Sequence, residues 1–271
     1  MATFYDTHAH LDYPDYAADL PAVIERAQAA GIVKMISIGT DLESSARAIK
    51  LSEQYPAVFA AVGWHPTNVQ DAPEDLRPAL RELARHPKVV AIGETGLDYY
   101  RLPSRQSSGT AGDDQTYKQK QATLFEQQLE VAAELGLNCV VHTRDSLDDA
   151  LIKMQPFVGR VRGVFHCFVD NPAAMQRVLA IGSLVSFTGI ATFKNAQTVR
   201  DTVAAVPIGQ FMLETDSPYL APVPYRGKRC EPAYVKEISE LVAQVRGCSL
   251  EELSQATCDT AHQFFPKLLQ R

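Results

Sequence analysis

The 271-residue chain has no apolar run long enough to cross a bilayer. One long uncharged stretch, residues 178–193, is broken by Gly182, Ser183, Ser186, Thr188 and Gly189. A spanning helix needs about 20 consecutive apolar residues, so no membrane contact is expected. The first ten residues, MATFYDTHAH, carry neither a basic n-region nor an apolar h-region, which predicts no secretory signal and a cytoplasmic protein. Only five cysteines occur, at 139, 167, 230, 248 and 258, and none forms a CxxC pair. An odd set without paired spacing reads as reduced thiols rather than a disulfide framework. Positive charge is also in short supply: 26 Lys and Arg face 32 Asp and Glu, for a net charge of −6. That excludes a broad basic face of the kind that grips nucleic acid, and any phosphate-rich substrate must be met by a local patch or by metal ions. Walker A, GxGxxG and GxSxG motifs are all missing, which removes the commonest nucleotide-loop and serine-hydrolase readings.

What is present is a rhythm. Short β-branched apolar runs recur near residues 3–5, 34–38, 58–62, 89–92, 139–141, 161–165, 184–187 and 211–213. Most are separated by stretches with 3.6-residue apolar spacing. Eight strands alternating with helices predict an α/β fold of one domain spanning 1–271, a (β/α)8 TIM barrel. Residues 102–116 (LPSRQSSGTAGDDQT) break the rhythm and read as a loop on the catalytic face, either a surface insertion or a lid.

His8 and His10 lie two apart at the end of the first strand, and period-two geometry puts both imidazoles on one face together with Asp6. An HxH pair alone is weak evidence for metal. Four further strand ends supply Glu94, His142, His166 and Asp216, each just after an apolar run. In a barrel, carboxyl ends converge on one mouth, so these six residues are the expected metal ligands. They exceed what one tetrahedral ion needs. Two divalent ions, Mg, Mn or Zn, with Glu94 as bridge, use the set naturally. Glu94 and Asp216 are the expected catalytic groups, Asp216 as ligand and proton acceptor. His65, in GWHP, faces the same mouth as a substrate contact or a turn residue. Tyr99, Tyr100 and Arg101 follow Glu94 closely and are candidates for stacking on, or walling in, a base or sugar. Arg226, Lys228 and Arg229 form a basic run after the eighth strand, suited to phosphate. His262 and His86 read as structural.

These motifs together resemble the TatD family of metal-dependent deoxyribonucleases within the amidohydrolase-like superfamily. The matching stretches are DTHAHLD at 6–12, GWHP at 63–66, GETGLDYY at 93–100, QATLFEQQL at 121–129, HTRDS at 142–146, HCF at 166–168, SFTG at 186–189, ETDSPYLAP at 214–222 and YRGKRCEP at 225–232. The resemblance implies a barrel with a divalent metal centre held by the same six residues. It also implies a 3'-5' exonuclease-type phosphodiesterase acting on DNA ends, or on RNA, with metal-activated water, as a monomer. Three positions depart from the family pattern: Cys230 and Thr260 stand where Asn is common, and the 102–116 segment is longer than expected. A second reading keeps the site and changes the bond, to an amide or an aminoacyl-tRNA ester. A third, a non-catalytic metal-stabilised scaffold, requires fully closed coordination and is the weakest.

Overall fold

The computed structural model describes residues 2–105 and 109–269. Eight strands run in chain order around one sheet: β1 (Phe4–Ala9), β2 (Ile32–Ile38), β3 (Val58–Val62), β4 (Val89–Asp98), β5 (Asn138–Arg144), β6 (Gly163–Phe165), β7 (Leu184–Phe187) and β8 (Phe211–Leu213). Every neighbouring pair is parallel. The ring closes where Ala9 bridges Ser217, with Asp216 N–H donating to His8 O at 2.9 Å and His10 N–H to Ser217 O at 2.8 Å. This is the expected barrel. Nine helices connect and cover the strands among the described residues: α1 (Leu20–Ala29), α2 (Leu42–Gln54), α3 (Arg77–Ala84), α4 (Ala111–Leu135), α5 (Leu147–Met154), α6 (Pro172–Ala180), α7 (Gln197–Ala205), α8 (Val235–Arg246) and α9 (Leu250–Phe264). None of them is long and apolar enough to cross a membrane.

Two cores hold this arrangement. The larger lies between the strands and the helix ring and includes Val62, Ile92, Phe125, Leu129, Phe165 and Phe187. The smaller fills the barrel itself: Ile36, Ile38, Phe59, Val90, Val140, Val164, Leu184 and Met212 meet Phe264, Phe265 and Leu268 from the end of the chain. The last helix therefore plugs one end of the barrel. At the other end the lining changes from apolar to His and carboxylate.

Two segments differ from the sequence expectation. β4 continues six residues past its apolar run to Asp98, buried throughout, because its polar tail keeps pairing with β5 from Thr95–Val141 to Asp98–Arg144. The stretch 102–116 is not all loop: α4 starts at Ala111. Thr110 caps it, accepting from Asp113 N–H at 3.3 Å while Asp113 accepts from Thr110 N–H at 2.8 Å. Such a capping box satisfies two otherwise orphaned donors and nucleates the helix, overriding the Gly, Asp and Ser content that favoured a loop. Residues 106–108 of that stretch lie outside the described residues.

α4 also sets the mouth. Its buried Gln128 clamps Trp64, accepting from Trp64 N–H at 2.8 Å and donating to Trp64 O at 3.0 Å. Gln121 accepts from Asp98 N–H at 3.0 Å and donates to Pro66 O and Asp98 O, both at 3.1 Å. Buried amides in apolar surroundings need such partners, and here they fix the ends of β3 and β4 against each other.

Candidate metal centre

His8 and His10 project from the end of β1 with their Nε2 atoms 3.3 Å apart. Glu94 on β4 sends its two oxygens to different neighbours. Oε2 lies 3.5 Å from His8 Nε2 and 3.7 Å from His10 Nε2. Oε1 lies 2.9 Å from His142 Nδ1, 2.8 Å from His166 Nε2 and 3.2 Å from His65 Nε2. Asp216, just past β8 with a left-handed φ of 57°, places Oδ1 3.4 Å from His10 Nε2 and 3.6 Å from His8 Nε2. All six sequence-designated residues thus meet at one point; all but the fully buried His8 line a cleft of about 240 Å³.

The donor set fits divalent ions. Two imidazole nitrogens at tetrahedral positions around Zn, with Zn–N of about 2.0–2.1 Å, stand roughly 3.3–3.4 Å apart. The His8–His10 pair shows 3.3 Å and the His142 Nδ1–His166 Nε2 pair 3.2 Å. His8, His10 and Asp216 form one ligand group; His8, Glu94 and His166 form a second, overlapping one.

Hydrogen bonding selects which ring nitrogens can serve. Asp98 Oδ2 sits 3.0 Å from His142 Nε2. A proton on Nε2 shared with that carboxylate leaves Nδ1 as the ligand atom, the usual way an outer carboxylate orients a metal histidine. His65 is the reverse case. Its Nδ1 accepts from Thr67 N–H at 3.1 Å, and burial holds its pKa below the ordinary value. The neutral ring then carries its proton on Nε2, which donates toward Glu94. Although His65, Glu94 and His142 lie close enough to form a third ligand group, this tautomer makes His65 a donor and not a ligand.

The charges are mutually supporting. Burial pushes every imidazole down, but the facing carboxylates outweigh it at three of them. Glu94 and Glu214 hold His166 well above its usual value, Asp98 and Glu94 raise His142, and Asp216 raises His10. His8 has burial and His166 against it and is lowered. Burial would raise Glu94 and Asp216, yet the surrounding histidines hold Glu94 well below, and Asp216 below, the usual carboxylate range. Glu214 is positioned as a buttress: it accepts from Cys167 N–H at 2.6 Å and Ser186 Oγ–H at 2.7 Å. It faces His166 Nδ1 at 3.7 Å, beyond hydrogen-bond reach, so that contact acts through charge.

The model of the family described as TatD related DNase matches residues 5–266. The chain belongs to this family. An uncharacterized metal-dependent hydrolase of Bacillus subtilis, YabD, is 36% identical over 262 residues, covering 96% of this chain and 98% of the relative. The 3'-5' ssDNA/RNA exonuclease TatD of Enterobacter lignolyticus is 32% identical over 267 residues, covering 96% and 98%. The crystal structure of YJJV, a TatD homologue of Escherichia coli, superposes with a TM-score of 0.87 at 28% identity, covering 97% of this chain and 98% of that one. This TatD-family chain is accordingly a metal-dependent hydrolase.

The other sequence-designated residues divide. His65 and Arg101 line the metal cleft. Tyr99 does not: it is buried, its hydroxyl donates to Asp149 at 2.8 Å and Lys118 lies over its ring. Strand alternation turns it away from the side that Asp98 faces. The basic run is engaged within its own surroundings. Arg226 stacks on Phe193 at 3.7 Å, Lys228 lies 5.9 Å from the Tyr225 ring, and Arg229 pairs with Asp19 at 2.8 Å and covers Tyr16. None of the three is among the cleft-lining residues. At Cys230 the backbone does the holding: its N–H donates to Pro218 O at 2.9 Å and its carbonyl accepts from Tyr16 Oη at 2.5 Å. Thr260 bonds back to Ala256 O at 2.6 Å within α9. Sequence reasoning missed Asp98, Tyr13, Arg144 and Tyr219. For Asp98 a signal existed: it shares the parity of Glu94 four residues on.

Proposed function

We propose that this protein is a two-metal phosphodiesterase that releases nucleotides from the ends of single-stranded DNA or RNA with 3'-5' polarity, acting as a single-domain cytoplasmic monomer. The observation that carries the reading is Glu94, whose two oxygens face two different sets of imidazoles. That is the disposition of a carboxylate bridging two ions. His8, His10 and Asp216 would hold one ion and His142 and His166 the other, with Glu94 between them. Bound divalent ions supply Lewis acidity to a phosphoryl oxygen and acidify water at neutral pH.

The chain's own groups do the rest. Asp216, kept ionised by His10 and its neighbours, is placed to accept a proton. His65 presents Nε2–H into the cleft and can donate to a phosphoryl oxygen. Arg144 and Arg101 line the same cleft and add the local positive charge that the net composition lacks. Five free cysteines suit a reducing compartment. The exonuclease named among the relatives favours a phosphodiester over the amide or aminoacyl ester alternatives.

The test is release of mononucleotides from end-labelled oligonucleotides with Mg, Mn or Zn, by the parent and by Glu94→Gln. The parent degrades the strand from its 3' end, and Glu94→Gln loses at least two orders of magnitude, within the range that metal-ligand and preorganised electrostatic groups supply. Equal rates for parent and variant would refute the assignment.

A further inference from the structure

The chain contains 11 Phe, 10 Tyr and one Trp. Among the described residues only two of these aromatic rings are exposed, Tyr100 at 50% and Tyr219 at 54%. Tyr100 follows β4 and Tyr219 follows β8. Strands numbered four apart in an eight-stranded ring stand across the axis from each other, so the two exposed rings stand on opposite sides of the barrel mouth, Tyr219 lining the metal cleft and Tyr100 just outside it against the cleft residue Arg144.

Each ring is tied to the metal site through its backbone. Tyr100 N–H donates to Asp98 Oδ1 at 2.9 Å, and the other oxygen of Asp98 holds His142. Tyr219 N–H donates to Asp216 O at 3.0 Å. Each also has a wall behind it. Arg144, a cleft residue, stacks on Tyr100 at 3.6 Å. Tyr219 meets Tyr13 edge-on at 6.2 Å, and Tyr13 stacks on His10 at 4.7 Å. The barrel mouth therefore carries one exposed, backed aromatic ring on each side of the metal cleft.

We infer that Tyr100 and Tyr219 are base platforms, each stacking one of the two bases that flank the scissile phosphate of a single-stranded polynucleotide. The inference rests on the phosphodiesterase reading above and supplies its basis for strand selection. Bases reach such platforms only when unpaired and splayed, and stacking is sequence-tolerant because every base has a π-face.

The test measures binding rather than turnover. Oligonucleotides carrying 2-aminopurine at successive positions from the end are titrated with the Ca2+-loaded protein, and fluorescence quenching gives Kd. Quenching is expected at the two positions flanking the scissile phosphate. Tyr100→Leu and Tyr219→Leu each raise Kd about 5- to 150-fold, the equivalent of about 1–3 kcal/mol per stacked base. Tyr100→Phe and Tyr219→Phe restore binding, because stacking uses the ring and not the hydroxyl. An abasic nucleotide at one flanking position cancels the effect of one Leu variant, and at the other position that of the other. Equal weakening on abasic and complete strands would overturn the inference, as would binding without quenching or no binding at all. Quenching with no hydrolysis under any metal would defeat the phosphodiesterase reading while leaving the platforms in place.

Discussion

Removing the Asp98 carboxylate is expected to weaken metal binding without unfolding the barrel. Asp98 is 2% exposed and carries three contacts. Oδ2 holds His142 Nε2 at 3.0 Å, while Oδ1 accepts Tyr100 N–H at 2.9 Å and Arg101 N–H at 3.3 Å. With the carboxylate present, the His142 proton stays on Nε2 and Nδ1 points at Glu94 and His166. Asp98→Ala frees the ring to rotate and to change tautomer, and it leaves two backbone donors unpaired. Partners of this outer kind contribute about 10- to 100-fold in metal affinity, roughly 1.4–2.7 kcal/mol. Asp98→Asn keeps an acceptor oxygen but loses the charge that raises the basicity of His142, so it falls near the lower bound and Asp98→Ala near the upper. The assay is titration of metal-free protein with Zn2+ against a competing chelator. Co2+ absorption spectra report altered ligand geometry, and thermal melts of the metal-free variants check folding. If both variants bind Zn2+ as tightly as the parent, Asp98 does not orient His142.

Further outcomes follow from the same geometry. Gly96 has φ +130° and a Cβ there would stand 2.1 Å from His142 O, so Gly96→Ala must force β4 away from β5. A loss of about 1–3 kcal/mol, the usual cost of overpacking, is expected in denaturant unfolding, and an unchanged midpoint would refute it. In the metal-free protein His166 and His142 are held above the ordinary histidine value by facing carboxylates. Raised histidine values stabilise fully below about pH 6.5 and lose that contribution as pH rises through the folded-state value. Metal binding must displace those same protons. The melting-temperature gap between metal-loaded and metal-free protein should therefore widen from pH 5.5 to 8.5, and a constant gap would contradict this ionisation pattern.

The barrel was legible because each strand is a compact apolar run and each ligand sits where that run meets a polar residue, as at Val140-Val141-His142 and Val164-Phe165-His166. Convergence of strand ends then assembles the six residues without knowledge of any distance. The limits were local. Asp98 lies in a part of β4 with no apolar signature, held in the sheet by pairing with β5 and by Gln121 on α4, a contact 23 residues away in sequence. The basic run at 226–229 looked available for phosphate because sequence does not reveal that Phe193, Tyr16 and Asp19 stand beside it. Thr110 and Asp113 did carry a cap signature, but Ser and Gly around them suggested a turn.

The plug formed by α9 bears on when the protein becomes active during synthesis. Asp216 meets His8 and His10 only once β8 has been made, and the barrel floor closes only when Phe264, Phe265 and Leu268 arrive. A growing chain is therefore without one ligand until the segment that follows β8 has been made, and without its barrel floor until α9 follows. The metal site of this hydrolase is thereby completed by the same event that closes the sheet, the arrival of β8 beside β1.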